Sequence, residues 1–502
     1  MLSRVLGLLR DTLLNALIGP GVVQDAFLAA LRLPNMFRQM FAEGAFSASF
    51  VPLFAQKTQD EGEDAAQLFA STVASILLLA LGLATILAII FMRPIVTWMN
   101  PATESLVLTI QYARFTSIYL LCMVITALIT GVLNSKQHFA AGAFAPILFN
   151  ICTIGALVIS VGLLGVDSIT GGYALAVAVA VAGLAQVLFL WLVAALKFQF
   201  VLMIPVPRLT PDVRRLLGLM GPGLIAAGGL QLNSLVGMVL ALQERAGLSY
   251  LNAAERLYQL PIGLIAVAFG VAALPQLSGF FARNEREKAI TTINAGVELA
   301  FLIALPAALA LMAMPEVIVR LLFEHGLFKS QDTQVVAGLV QLFALALPAL
   351  AIQRVFNASF HGRKMMRTPM TLTLVGVGIN MALAISLFGT VGIAAIPIAL
   401  SISAWIQLLL LAWRTTNDGL WRPTGASVWR MTAIVLAAIS MAATVLSAKT
   451  IALAWVQDSF MRLLGSTMAL VALGVLTYGV FLIILRGMPL EVRQYFIRRN
   501  KA

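Results

Sequence analysis

This sequence has little charge. Asp, Glu, Lys and Arg make up 11% of its 502 residues, against about 25% in ordinary soluble domains. A soluble chain of this length needs far more charge to cover its surface. That excludes a soluble enzyme, a disordered chain and a fibrous repeat. Cysteine is nearly absent: Cys122 and Cys152 both sit in apolar runs, imply no disulfide framework and read as small core residues. The three histidines, His138, His325 and His361, are scattered without metal-ligand spacing. There is no G-x-x-x-x-G-K-[ST] loop, so ATP cannot be bound in the P-loop manner. The G-x-S-x-G and H-E-x-x-H signatures are missing too. The sequence therefore offers no catalytic residues, no metal site and no cofactor site.

What is present is apolar. Hydrophobic residues make up 61% of the chain, and the mean hydropathy is +0.97. The apolar character persists to the far end. Arg10 and Asp11 interrupt the first stretch and no small-residue cleavage site follows, so it does not read as a cleaved signal. The pattern predicts an all-α polytopic membrane protein. A spanning helix needs about 20 mostly apolar residues. Fourteen segments qualify: 1–18, 25–53, 66–92, 106–135, 141–165, 169–196, 213–243, 248–281, 288–314, 334–360, 368–388, 391–414, 428–449 and 463–486. The uncharged stretch 368–413 is too long for one span, and the expected division is at Gly389-Thr390.

The net charge is +12. In a soluble protein this excess would point to nucleic acid; in a membrane protein it reports cytoplasmic loops. Loops after even-numbered segments, with the C-terminal tail, carry 20 Lys and Arg; loops after odd-numbered segments carry 6, and 7 lie inside helices. The even loops are therefore expected to be cytoplasmic, with both termini inside. The tail Pro489–Arg499 mixes apolar and basic residues and is expected to lie on the anionic inner leaflet.

Segments of the two halves echo each other about 220 residues apart. Leu133-Asn134 matches Phe356-Asn357, and Pro146 matches Pro369. Gly171, Ala174, Ala178 and Gln186 match Gly392, Ala395, Ala399 and Gln407. Leu33-Pro34 and Pro52 answer Leu260-Pro261 and Pro275. The expected organisation is an N-lobe of helices 1–6 (residues 1–196), a C-lobe of helices 7–12 (197–415), and helices 13–14 with the basic tail (416–502). Two such bundles around a central cavity make a transporter architecture.

Ionisable residues inside spans are costly, and each needs a reason. The first half holds Arg4, Arg10, Asp11, Asp25, Arg32, Arg38 and Glu43; the second holds Glu255, Arg256, Glu298 and Arg354. Guanidinium groups facing a cavity suit a phosphate or pyrophosphate, because Arg presents a planar fork of donors and stays charged. Plainer roles stand beside this one. Arg4 could be an orientation anchor, Arg10 and Asp11 a structural ion pair, Asp25 an N-cap, Arg354 a snorkelling side chain, Glu255 the partner of Arg256, and Glu298 structural. Pro34, Gly221-Pro222-Gly223 and Pro261-Ile262-Gly263 mark places where helices bend, in gating or statically.

At the N-terminus the sequence becomes specific. Ser3-Arg4-Val5-Leu6-Gly7-Leu8-Leu9-Arg10-Asp11 is followed by Asp25-Ala26-Phe27, Leu33-Pro34-Asn35, Arg38, Phe41-Ala42-Glu43-Gly44-Ala45-Phe46-Ser47 and Phe50-Val51-Pro52, and later by Glu255-Arg256-Leu257. This closely resembles the MurJ (MviN) family of lipid II flippases, within the multidrug/oligosaccharidyl-lipid/polysaccharide exporter superfamily, over essentially the whole chain. The resemblance implies a substrate, the undecaprenyl-pyrophosphate-linked disaccharide-pentapeptide precursor of peptidoglycan. It implies Arg4, Arg10, Arg38 and Arg256 as cavity arginines, with Ser3, Asp11, Asp25, Asn35 and Glu43 as supporting polar positions. It also implies a lipid-tail groove at helices 13 and 14, a bacterial cytoplasmic-membrane location, and no cofactor beyond a membrane potential or ion gradient. The expected partners are lipid II, membrane lipids and cell-wall synthesis proteins, around a monomer that binds no nucleic acid. The chain starts partway into the family's first helix, and a family acidic position after the helix 8 arginine is Gln259 here. Three alternatives stay open: a flippase for another polyprenyl-pyrophosphate saccharide, an organic-cation antiporter of the same superfamily, and a membrane scaffold for cell-wall enzymes.

Overall fold

The uncharged stretch 368–413 folds as two helices, and the break falls two residues beyond Gly389-Thr390. One helix runs from Arg367 to Val391 and the next from Ala395 to Asn417, joined by the 3-10 turn Gly392–Ala394. Gly392 takes φ +59°, the left-handed backbone that glycine adopts without a Cβ penalty. A continuous helix of this length would reach about 75 Å, more than twice the hydrocarbon thickness.

The computed structural model describes residues 2–40, 46–99, 104–454 and 459–488. It divides into two compact units, Met1–Ser249 with His325–Phe328, and Tyr250–Glu324 with Lys329–Ala502. The first carries α1 (Leu2–Leu17), α2 (Val22–Met40), α3 (Phe46–Glu61), α4 (Glu63–Ile90), α5 (Met92–Met99), α6 (Leu106–Thr116), α7 (Ile118–Ser135), α8 (Phe139–Leu157), α9 (Ser168–Phe198) and α10 (Pro211–Ala241). It also holds the first turn of α11 (Gly247–Ala282). The second carries the rest of α11, then α12 (Arg286–Ala313), α13 (Pro315–Phe323), α14 (Ser330–Ala344), α15 (Leu347–Gly362), α16 (Arg367–Val391), α17 (Ala395–Asn417), α18 (Gly425–Ala454) and α19 (Phe460–Ile484). The described residues form helices and connecting turns, with no strand among them.

The sequence repeat reappears as a repeat of packing. In the first unit α4 packs on α7, α5 on α6, and α6, α7 and α8 each on α9. In the second, α12 packs on α15, α13 on α14, and α14, α15 and α16 each on α17. The matched glutamines play parallel parts. Gln186 of α9 donates to the Ala145 carbonyl of α8 at 2.8 Å, and Gln407 of α17 donates to the Thr373 hydroxyl of α16 at 2.9 Å. A polar side chain in an apolar helix is stable only when it bonds across to a neighbour, and here both do so at the same joint. The helix after the first repeat, α10, packs on α2, α3 and α4.

Some segments differ in detail from the sequence pattern. The predicted segment 25–53 is helical on both sides of 41–45, as α2 and α3, and 41–45 lie outside the described residues. Segments 106–135 and 334–360 each bend into two consecutive helices. Arg430, counted by sequence as a loop charge, lies in α18. The tail Pro489–Arg499 is outside the described residues.

Among the described residues, nine helical stretches are long and apolar enough to cross a membrane, and Arg367–Asn417 holds the α16–α17 pair. Their outward faces are apolar. On α9, Val177, Val181, Leu184, Leu188 and Trp191 are exposed at helical spacing, and α4 exposes Leu79, Leu83, Ile86 and Ile90 in the same way. Such stripes are unstable in water and suit lipid tails. Outside the nine stand α1, which is 16 residues long, and α2, which holds Asp25, Arg32 and Arg38.

Candidate functional site

Arg10, one of the charges that shorten the apolar run of α1, lies against α8. Ser3, Gly7 and Arg10 recur at helical spacing, so they share one face, and α1 packs on α8. Asn150 of α8 donates its amide to the Ser3 carbonyl at 3.3 Å. The Arg10 guanidinium lies over the Phe149 ring, 5.7 Å from its centroid. Its Nε and Nη2 both donate to Asp11 Oδ1, at 3.0 and 2.8 Å. Asp11 is 1% exposed and the Arg10 side chain 18%. The carboxylate is thus the buried member, and the guanidinium keeps an open side. Arg4 is exposed.

Next to these, α2 offers Asn35 and Arg38, three residues apart and both half-buried. Pro34 sits between Arg32 and Arg38 and removes a backbone hydrogen bond from the middle of the helix. Arg32 donates to the hydroxyl and carbonyl of Ser234 on α10, and Gln231 donates to Gln39 at 2.8 Å. Glu43 lies outside the described residues.

Asp25 works on another helix, not its own. It stands in the first turn of α2, yet its carboxylate accepts the backbone N–H of Ser249 at 2.8 Å and the Ser249 hydroxyl at 2.5 Å. Ser249 lies in the first turn of α11, so a buried carboxylate satisfies an orphan N–H at a helix N-terminus. The neighbouring Gln24 donates to Asn15 Oδ1 at 2.9 Å. Both side chains are buried.

Arg256 is half-buried on α11 beside half-buried Glu255, and Gln259 is exposed. Arg4, Arg10 and Arg38 belong to the first unit and Arg256 to the second. Sequence reasoning missed Phe149 and Asn150 as the neighbours of α1, and Ser249 as the partner of Asp25. An Asn in the middle of an apolar helix was the available signal for Asn150. Among the described residues no cluster of His, Cys, Asp and Glu could hold a metal ion.

An all-helical chain with two halves packed alike, apolar outer stripes and guanidinium groups on its charged helices belongs to the class of polytopic membrane transporters. The family model described as lipid II flippase MurJ matches residues 14–472. The chain belongs to that family; it is a transporter and not an enzyme. Arg4, Arg10 and Asp11 precede the matched region. A probable lipid II flippase MurJ of Rhizobium meliloti (strain 1021) is 37% identical over 426 residues, covering 82% of this chain and 78% of that one. The corresponding protein of Rhizobium tropici is 35% identical over 410 residues, covering 81% and 76%. Among solved structures, a lipid II flippase MurJ in an inward closed conformation shares the fold with a TM-score of 0.79 at 22% identity, over 96% of this chain and 97% of that one. An inward-facing multidrug MATE transporter shares it with a TM-score of 0.71 at 18% identity, over 83% and 95%.

Proposed function

We propose that this chain carries lipid II, the undecaprenyl-pyrophosphate-linked peptidoglycan precursor, from the inner to the outer leaflet of the bacterial cytoplasmic membrane. Arg4, Arg10, Arg38 and Arg256 hold the pyrophosphate in a water-filled central cavity, and Ser3, Asp11, Asp25, Asn35 and Glu43 support them. The apolar tail stays in lipid, along a groove at α18 and α19. Closing one side of the cavity while opening the other moves the headgroup across. Both termini face the cytoplasm, and the unit acts as a monomer.

The observation that carries this reading is the state of Arg10, in a chain of this family. Asp11 binds the guanidinium from one side and is itself buried, so Arg10 is oriented and still has donors to give. An organic-cation antiporter would need the reverse, a carboxylate left available. Here Asp11 is taken by Arg10 and Asp25 by Ser249. An inside-negative potential favours export of the anionic headgroup by about 2.3 kcal/mol per charge per 100 mV.

The test is complementation of a conditional flippase-depleted strain by Arg10→Ala, Arg38→Ala and Arg256→Ala, with membrane accumulation checked. Loss of growth with normal accumulation is expected. Growth supported by all three overturns the assignment.

A further inference from the structure

In the second unit the ends of α11, α15 and α17 meet the start of α12 around a cavity of about 430 Å³. Phe281, Asn284, Arg286, Arg363, Asp418 and Leu420 line it. Asp418 is shared by three arginines. Arg363 Nη1 donates to its Oδ2 at 2.7 Å, Arg414 Nε lies 3.6 Å from its Oδ1, and Arg286 donates to its backbone carbonyl. Arg422 reaches the same place: a Cβ on Gly419 would lie 2.9 Å from Arg422 Nη2 and 3.0 Å from Arg286 Nη2.

Four guanidinium groups therefore gather at this turn around a single carboxylate, which only Arg363 and Arg414 meet directly. Arginines often cap the last carbonyls of helices, and that accounts for the bond of Arg286 to Asp418 and of Arg363 Nε to Ser359 at 3.3 Å. It does not account for Arg363 Nη2, which is buried and has no hydrogen-bond partner. Nor does capping balance the charge. The guanidinium of Arg363 is held over the Phe360 ring at 4.6 Å, and its orphan donor is shielded from solvent. A donor surplus in a cavity of this size, walled by Phe281, fits a tetrahedral anion with several acceptor oxygens.

We propose that this cavity binds a phosphate group, carried by an anionic phospholipid or by a soluble phosphate. None of the arginines assigned above to lipid II is among its lining residues. With the orientation proposed above it opens at the inner-leaflet surface, where anionic headgroups concentrate and basic pockets between helices retain them.

The purified full-length chain in neutral detergent is titrated with short-chain phosphatidylglycerol, with short-chain phosphatidylcholine and with inorganic phosphate. Backbone hydrogen exchange is followed across 281–287 and 415–422. Phosphatidylglycerol is expected to slow exchange there, and phosphatidylcholine is not. Inorganic phosphate acting at comparable concentration assigns the site to soluble phosphate; phosphate failing where phosphatidylglycerol succeeds assigns it to lipid. The double variant Arg286→Gln, Arg422→Gln is expected to bind at least about tenfold more weakly, because each change removes a charge-assisted donor. Neither residue contacts the Asp418 carboxylate, and an unchanged melting temperature without ligand checks the fold. Three results overturn the proposal: equal protection by both lipids, protection by neither phosphatidylglycerol nor phosphate, or wild-type affinity in a folded double variant. If the double variant does not fold, the ligand comparison on the wild-type chain decides. No arm requires transport, so failure here is separate from failure of the flippase reading.

Discussion

Arg430 of α18 donates through Nε and Nη2 to the two carboxylate oxygens of Glu298 on α12, each at 2.7 Å. The Ser427 hydroxyl also donates to Glu298, whose side chain is 3% exposed. This fork is one polar tie between the second repeat and the pair α18–α19, beside the Tyr478 hydroxyl on the Leu302 carbonyl and Lys449 on Glu316. Removing one member strands the other in a buried site, which costs about 3 kcal/mol or more. Glu298→Gln and Arg430→Met are each expected to lower the melting temperature and membrane yield of the purified chain. The double replacement Glu298→Leu, Arg430→Met is expected to recover most of the loss. A double variant as unstable as the sum of the singles would show that the pair is not coupled.

Lys57, near the end of α3, bonds Asp212 of α10 at 2.7 Å and Glu61 at 2.9 Å. The hydrogen bond it donates to Asp212, then the one it donates to Glu61, holds its amine above the ordinary lysine range. A raised folded value contributes stability below the unfolded pKa and loses it as pH rises through the folded one. The link should therefore hold constant from pH 6 to 9 and weaken only in strong alkali. With the Asp212 and Glu61 side chains about half exposed, the pairing contributes about 0.5 kcal/mol. Lys57→Gln is expected to shift the melting point slightly and equally across pH 6–9; a shift that changes sign or size within that window would refute the assignment.

Gly326 takes φ +60°, and a Cβ there would lie 2.2 Å from the backbone oxygen of Ala16. The adjacent Leu327 N–H donates to that same oxygen at 2.8 Å. Gly326→Ala therefore adds both backbone strain, about 1 kcal/mol, and a clash with an atom that cannot rotate away. Faster exchange of the Leu327 amide is expected, with little change in the α9 amides.

Asp25 caps α11 from α2 through Ser249. Replacing a capping carboxylate by Ala costs about 1 kcal/mol, and the burial of this one adds to the loss. Asp25→Ala is expected to destabilise the first unit by about 1–2 kcal/mol and to speed exchange at Ser249. Asp25→Asn, which keeps an acceptor, should recover part of it. Equal loss in both variants would mean that the charge, and not the hydrogen bond, carries the cap.

Much of the architecture is written in local pattern. A span is a run of apolar residues, and such runs are read by length alone. The repeat was legible because Gln186 and Gln407 bond across the same joint in each half, so the same residue type recurs. The structural part expected of Glu298 was legible too, since a lone carboxylate in an apolar helix requires a partner. The arginines of α1, α2 and α11 stand out for the same reason.

Partners were not legible. Asp25 and Ser249 are 224 positions apart, and Glu298 and Arg430 are 132 apart. Nothing in the neighbourhood of one names the other. Sequence counted Arg286, Arg363, Arg414, Arg422 and Arg430 together as loop charges that set orientation, which is a sum insensitive to position. Folding separates them, gathering four at Asp418 and sending the fifth to Glu298. By itself the sequence determined a membrane-embedded, duplicated, all-helical chain, because hydrophobic length and helical period act within a few turns. Only the tertiary structure decided which charge meets which, because in a low-dielectric interior each charge is stable only against the particular partner the chain brings to it.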